Sequence, residues 1–208
     1  MVQDDTNISR YFNKKSKKMV KEHDKKGIPQ SMKYQIDDIM SYNVGSAFDV
    51  GSGPGTLLIN LFELGLNKGY GIDLSPSMNN YATERLITSG IDKNAFEIYE
   101  GSFLELDANI TPEAISLHRV ICCHPDRQGM IAKSISYKPK VITLTIPRDT
   151  PLHRLFFLIL KLSAKVFSRL SIYNHRIHTI QAQLLDSGYS LSTENKSFIW
   201  TTLTFIKD

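Results

Sequence analysis

The sequence predicts an α/β fold: a mostly parallel sheet with helices on both faces and an antiparallel hairpin at the C-terminal end. Three observations predict it. Short β-rich runs alternate with stretches of helical periodicity between Ala47 and Ile146. The first run ends in a glycine-rich turn, Gly51-Ser52-Gly53-Pro54-Gly55, of the kind that joins a parallel strand to its crossover helix. Two further β-rich runs close the chain with four polar residues between them.

Composition narrows the class. A chain of 208 residues can bury one sizeable core and is short for two independent domains. With 41% hydrophobic and 22% charged residues it is globular rather than disordered. The net charge of +4 falls short of the footprint of a dedicated nucleic-acid binder. Cys122 and Cys123 are adjacent, which excludes a disulfide framework and a C-x-x-C site and fits small buried hydrophobes in a reducing compartment. No run approaches the roughly 20 apolar residues that span a bilayer. Met1 to Arg10 is polar and acidic, unlike a secretory signal. A cytoplasmic protein is expected.

The elements follow in order. Residues 1 to about 10 read as disordered, and Lys14 to Lys26 as a solvated basic helix or tail. Gly27-Ile28-Pro29 breaks it, and Met32, Ile36, Ile39 and Met40 recur at helical spacing. Residues 1–40 thus form a basic tail and lid helices ahead of a domain spanning 41–208. Ala47 to Val50 is the first strand. Leu57, Leu58, Leu61, Phe62 and Leu64 mark the helix after it, and Gly69 to Leu74 is the second strand. Ser75-Pro76 starts a helix, serine capping and proline taking the first helical position, and Thr111-Pro112 and Thr150-Pro151 repeat that pattern. Ala95 to Tyr99, Arg119 to Cys123 and Val141 to Ile146 are strands three to five. A helix from Ile177 ends at Gly188, and Tyr189 to Thr193 and Phe198 to Ile206 pair as a hairpin turning at Glu194 to Ser197.

The glycine turn carries the functional signal. A nicotinamide site would show G-x-G-x-x-G, with the pyrophosphate at the helix N-terminus. Here the spacing is G-x-G-x-G, and no phosphate-loop lysine precedes Thr56. Asp49 stands two residues before the first glycine, where its charge opposes a pyrophosphate and suits a cationic amine or sulfonium. Asp73 ends the second strand about 20 residues on, a position from which an acid accepts hydrogen bonds from ribose hydroxyls.

Phe48 to Gly55 resembles the first motif of class I S-adenosylmethionine-dependent methyltransferases, and Gly71 to Met78 resembles the second. The resemblance implies a seven-stranded Rossmann-like sheet with an antiparallel last strand, and S-adenosyl-L-methionine as cofactor. It implies that Asp49 orients the methionine end, that Asp73 binds ribose and that Leu74 and Met78 flank the adenine. Ser102 and Phe103 stand where that family usually has an Asp holding the adenine amine. The cofactor set is then Asp49, Gly51, Ser52, Gly53, Gly55, Asp73, Leu74, Met78, Ser102, Phe103, Cys122 and Cys123.

Val120 to Asp126 ends the fourth predicted strand with C-C-H-P-D, which places Cys123, His124 and Asp126 at the carboxyl end of the sheet, facing the reacting methyl group. This segment is similar to the C-C-Y-P-D of small bacterial and archaeal methyltransferases akin to magnesium-protoporphyrin O-methyltransferase, with His124 for the tyrosine. Tyr173-Asn174-His175 matches the same subgroup's aromatic-x-His. His124 and His175 are the candidate general bases, each weighed against a local hydrogen-bonding role. No metal site is expected, because neighbouring strand cysteines point to opposite faces.

Pro151 to Leu170 sets Arg154, Lys161, Lys165 and Arg169 on one stripe opposite an apolar face. It is a helix packed on the fold, a cover for an apolar substrate, or a helix making peripheral membrane contact.

The expected activity is methyl transfer to a small, apolar molecule, at oxygen by kinship with that subgroup. The rivals are an RNA or protein methyltransferase, for which nucleic acid is disfavoured by the missing recognition module, and a non-catalytic cofactor-binding module.

Overall fold

The computed structural model describes residues 3–151, 153, 173 and 175–207. Helix α1 (Gln3–Lys26) and helix α2 (Gln30–Ser41) precede the sheet. Strand β1 (Ser46–Val50), helix α3 (Thr56–Glu63), strand β2 (Lys68–Asp73), helix α4 (Pro76–Thr88) and strand β3 (Phe96–Glu100) build its first half. Strand β4 (Ala114–His118), helix α5 (Arg127–Ser136), strand β5 (Val141–Pro147), helix α6 (Ile177–Leu185), strand β6 (Tyr189–Lys196) and strand β7 (Trp200–Lys207) complete it.

The seven strands lie in the order β3-β2-β1-β4-β5-β7-β6. β1 to β5 are parallel, and β7 runs antiparallel between β5 and β6. The order reverses between β1 and β4, so the crevice beyond their carboxyl ends is where this topology leaves room for a ligand. β5 is buried along its whole length, as a strand covered on both faces must be, whereas edge strand β6 alternates towards solvent.

Each face has its own core. Phe48, Ile115, Leu117, Ile142, Leu144 and Phe205 pack with Ile131 of α5 and Ile180 and Leu184 of α6 on one side. Ala47, Ala114 and Val141 pack with Ile36 and Ile39 of α2 and Leu57 and Leu61 of α3 on the other. Burying each large side chain contributes about 1.5–3 kcal/mol. α2 also carries a polar seam. Gln35 donates to Thr145 Oγ1 (3.0 Å) and accepts from Ser116 Oγ (3.0 Å), so these buried groups are paired.

Five sequence expectations are corrected. Residues 3–10 are helical: Ile8 and Phe12, one turn apart, pack inwards beneath a largely polar surface. The fourth strand ends at His118, before the residues expected to form it, because Arg119 adopts a left-handed backbone (φ 60°) and Ile121–Cys123 make one 3₁₀ turn. The cysteines therefore leave the alternation of a strand; their sulfurs lie 3.9 Å apart, both directed at the Arg119 carbonyl. Thr111-Pro112 leads into β4 rather than a helix. β6 continues to Lys196, and the hairpin turns at residues 197–199. Ser75 does cap α4, its hydroxyl accepting from Met78 N (3.2 Å). The basic stretch 151–170 lies, but for Pro151 and His153, outside the described residues.

Candidate active site

The turn after β1 is held open by glycines. Gly51, Gly53 and Gly55 all have positive φ, and Gly51 and Ser52 donate to the Ile72 carbonyl, tying the turn to β2. A Cβ on Gly51 would meet Val120 Cγ2 at 2.5 Å, whereas one on Gly53 would meet nothing within 4 Å. Gly51 is therefore a close approach between two loops, and Gly53 leaves space beside the backbone. Gly55 serves packing: a Cβ there would meet Ala82 of α4 at 3.2 Å, and it does not line the cavity.

Asp73 ends β2 with both carboxylate oxygens directed at backbone. Oδ2 accepts from Gly53 N (2.9 Å) and Oδ1 from Ser75 N (2.8 Å). Each oxygen keeps a lone pair for a hydroxyl. Burial raises its pKa, against the lowering by these two bonds. Asp49, in β1, is more deeply set and accepts from Ser116 Oγ (3.0 Å). Burial above all, with the nearby Asp73 charge adding, pushes it up to about 7 against the Ser116 hydrogen bond.

A cavity of about 470 Å³ opens beyond the carboxyl ends of β1, β2 and β4, within the range of small-molecule sites. Gly51, Ser52, Gly53, Asp73, Leu74, Met78, Ser102 and Phe103 line it, together with Cys122, Cys123 and His124. Asp49, buried in β1, is not among the residues that line the cavity. Ser52 Oγ is buried there without a hydrogen-bond partner.

His124 Nδ1 accepts from Asp126 N (3.1 Å), so a neutral ring carries its proton on Nε2. That nitrogen stands 3.3 Å from Asp5 Oδ1 of α1, in ion-pair range without hydrogen-bond alignment. Asp126 faces away from the methyl-acceptor side expected of it; its carboxylate caps α5 by accepting from Gly129 N (2.8 Å). His175 lies behind His124, its Nε2 2.9 Å from the His124 carbonyl and its ring stacked on Tyr173. Burial lowers the His175 pKa.

Other residues at this cavity have no counterpart among the expected site residues. Asp5, Ile8, Phe12 and Met19 of α1 line it with Met32 of α2. Positions 5, 8, 12 and 19 share one helical face, a period visible in the sequence beneath its lysines. Asn13 docks α1 on the α4 N-terminus, its Oδ1 accepting from Ser75 Oγ (2.6 Å) and Ser77 N (3.1 Å). Arg119 and Trp200 complete the wall, the guanidinium 4.5 Å from the indole centroid.

No family model and no curated protein matches the chain. Solved structures do. Magnesium protoporphyrin IX methyltransferase from Synechocystis PCC 6803, with bound SAH, aligns over 99% of this chain and 100% of its own at TM-score 0.74 and 19% identity. An O-methyltransferase family protein from Burkholderia thailandensis aligns over 85% and 56% at TM-score 0.68 and 15% identity. The [4+2]-cyclase SpnF aligns over 78% and 75% at TM-score 0.59 and 9% identity. The chain thus has the class I methyltransferase fold, a fold that also houses other chemistry. Among the solved structures similar to it is a protoporphyrin methyltransferase that aligns over nearly its whole length.

Proposed function

We propose that the protein is an S-adenosylmethionine-dependent methyltransferase acting on a small apolar molecule, at oxygen. The observation that carries this is Asp73, whose carboxylate ends β2 beside an open glycine turn at the point where the strand order reverses. The residues present suit an adenosine. Asp73 accepts the ribose hydroxyls, Leu74, Met78 and Phe103 offer an apolar slot for the base, and the unpartnered Ser52 hydroxyl supplies a polar contact. Asp49, poised near neutrality, takes its charge when a cationic amine comes near. The bound SAH and SAM of the Synechocystis enzyme support the same reading.

When bound, the cofactor supplies an electrophilic methyl group on a sulfonium. The chain's part is to hold the acceptor in line with it and to exclude water. Residues 1–40 act as the lid, Ile8, Phe12, Met19 and Met32 closing the cavity with apolar surface. His124 presents its Nε2–H to the acceptor oxygen and holds it by a hydrogen bond; to serve as a base it must first release Asp126 N, because the ring's lone pair is on Nδ1. His175 positions the loop through the His124 carbonyl. The stretch 151–170, basic on one side and apolar on the other, suits the cover of a lipophilic acceptor or a peripheral membrane contact.

The test is to incubate the protein with S-adenosylmethionine and three acceptor sets: apolar hydroxyl and carboxyl compounds including magnesium protoporphyrin IX, total RNA, and unfolded protein. S-adenosylhomocysteine release with the first set alone supports the proposal. Release with RNA or protein alone assigns a different acceptor, and release with none favours a binding module.

A further inference from the structure

Arg119 is a half-buried cation that no group described so far uses. It lines the cavity, and among the described residues no carboxylate pairs with it. Among the described residues its guanidinium donates to Ser31 Oγ of α2 (2.9 Å), and it stacks on Trp200. Its Nε is buried without a hydrogen-bond partner. The backbone that aims it is strained: a non-glycine residue at φ 60° costs about 1–3 kcal/mol and persists where surroundings impose it. Such residues concentrate at ligand sites.

The position of the charge indicates which ligand group it meets. Arg119 directly precedes Val120, whose side chain rests on Gly51 of the ligand-admitting turn. Helix α2 connects it to the buried acid. Ser31 binds Arg119, and Gln35, four residues on, reaches Asp49 through Ser116. A cation that lines the cavity and a buried carboxylate are thus tied to the same helix, and an α-amino acid carries a group of opposite charge for each, a carboxylate for the first and an ammonium for the second.

We propose that Arg119, held by Ser31 and Trp200, is the seat for the carboxylate of the cofactor's methionyl end, opposite Asp49 as the pole for its amine. This rests on the reading of the site as an S-adenosylmethionine site. A carboxylate there satisfies the orphaned Nε and offsets the burial that disfavours the guanidinium charge. Two parallel N–H donors suit it better than a lysine would.

Calorimetric titration of the full chain with three probes tests this: S-adenosylhomocysteine, its decarboxylated analogue, and 5′-methylthioadenosine, which lacks the whole amino-acid group. The wild type should prefer S-adenosylhomocysteine to the decarboxylated analogue by about 10–100-fold, the range of a charge-assisted hydrogen bond. In Arg119→Ala that preference should fall to about threefold or less, with methylthioadenosine binding kept within about threefold. Arg119→Lys should lie between. Equal wild-type binding of S-adenosylhomocysteine and its decarboxylated analogue overturns the proposal without need of any variant. So does unchanged S-adenosylhomocysteine binding in Arg119→Ala, which would leave the guanidinium to an anion on the acceptor. A parallel loss of methylthioadenosine binding assigns Arg119 a structural role and overturns it too. If the wild type binds none of the three, the cofactor reading itself fails, and this one with it.

Discussion

Nε2 of His124 stands 3.3 Å from Oδ1 of Asp5, so the loop after β4 and the first turn of α1 meet through one buried pair. Helix α1, which lines the cavity, is thereby tied to the loop that lines it from the other side of this pair. Removing one partner leaves a buried polar group unmatched, at a cost of about 1–3 kcal/mol. Asp5→Ala should therefore speed hydrogen exchange across α1 about tenfold or more while leaving β1 and β4 protected. Unchanged exchange in α1 would show that the pair does not hold the helix.

Asn13 is the second tie. Asn13→Ala removes the acceptor of Ser77 N, one of the free N–H groups at the start of α4. Stability should drop by about 1 kcal/mol in urea unfolding. The Ser75 cap on Met78 N remains, so α4 itself should persist by circular dichroism.

Gly51→Ala combines two costs, a Cβ 2.5 Å from Val120 Cγ2 and a non-glycine residue at φ 69°. Together these should destabilise by about 2–4 kcal/mol. Adding Val120→Ala should restore only part, because it relieves the clash and leaves the backbone strain. Full restoration in urea melts would place the whole cost in the clash.

Asp49 makes stability depend on pH. Its folded pKa, about 7, is raised above the ordinary aspartate value of 3.8, so its stabilising contribution is complete below about 3.8 and is lost as pH rises towards 7. Asp49→Asn keeps an acceptor for Ser116 and removes the titration. The variant should gain on the wild type by about 1.4 kcal/mol per pH unit between about pH 4 and 7, and no further above. A constant gap across that range would contradict the burial of this carboxylate.

The sheet was legible because parallel strands are short apolar runs and the glycine turn punctuates them. Val141–Pro147 shows this, apolar in sequence and buried throughout. Ser75-Pro76 announced its helix through cap chemistry alone. Thr111-Pro112 has the same letters, yet β4 follows, since pairing with β1 and β5 outweighs a local cap preference. The end of β4 was misread because one residue, Arg119, changes hand, and a left-handed arginine has no sequence signal. Asp73 and the glycines could be found because their spacing is local. Asp5, Ser31 and Trp200 could not, because they reach the cavity from elements far apart in the chain.

The central claim is tested most directly by calorimetric titration of the wild type and Asp73→Ala with S-adenosylmethionine, S-adenosylhomocysteine and NADH. The account predicts micromolar binding of both sulfur ligands by the wild type, a loss of about 100-fold or more in the variant, and no binding of NADH. Absence of binding for both sulfur ligands, or binding that Asp73→Ala leaves intact, would contradict it.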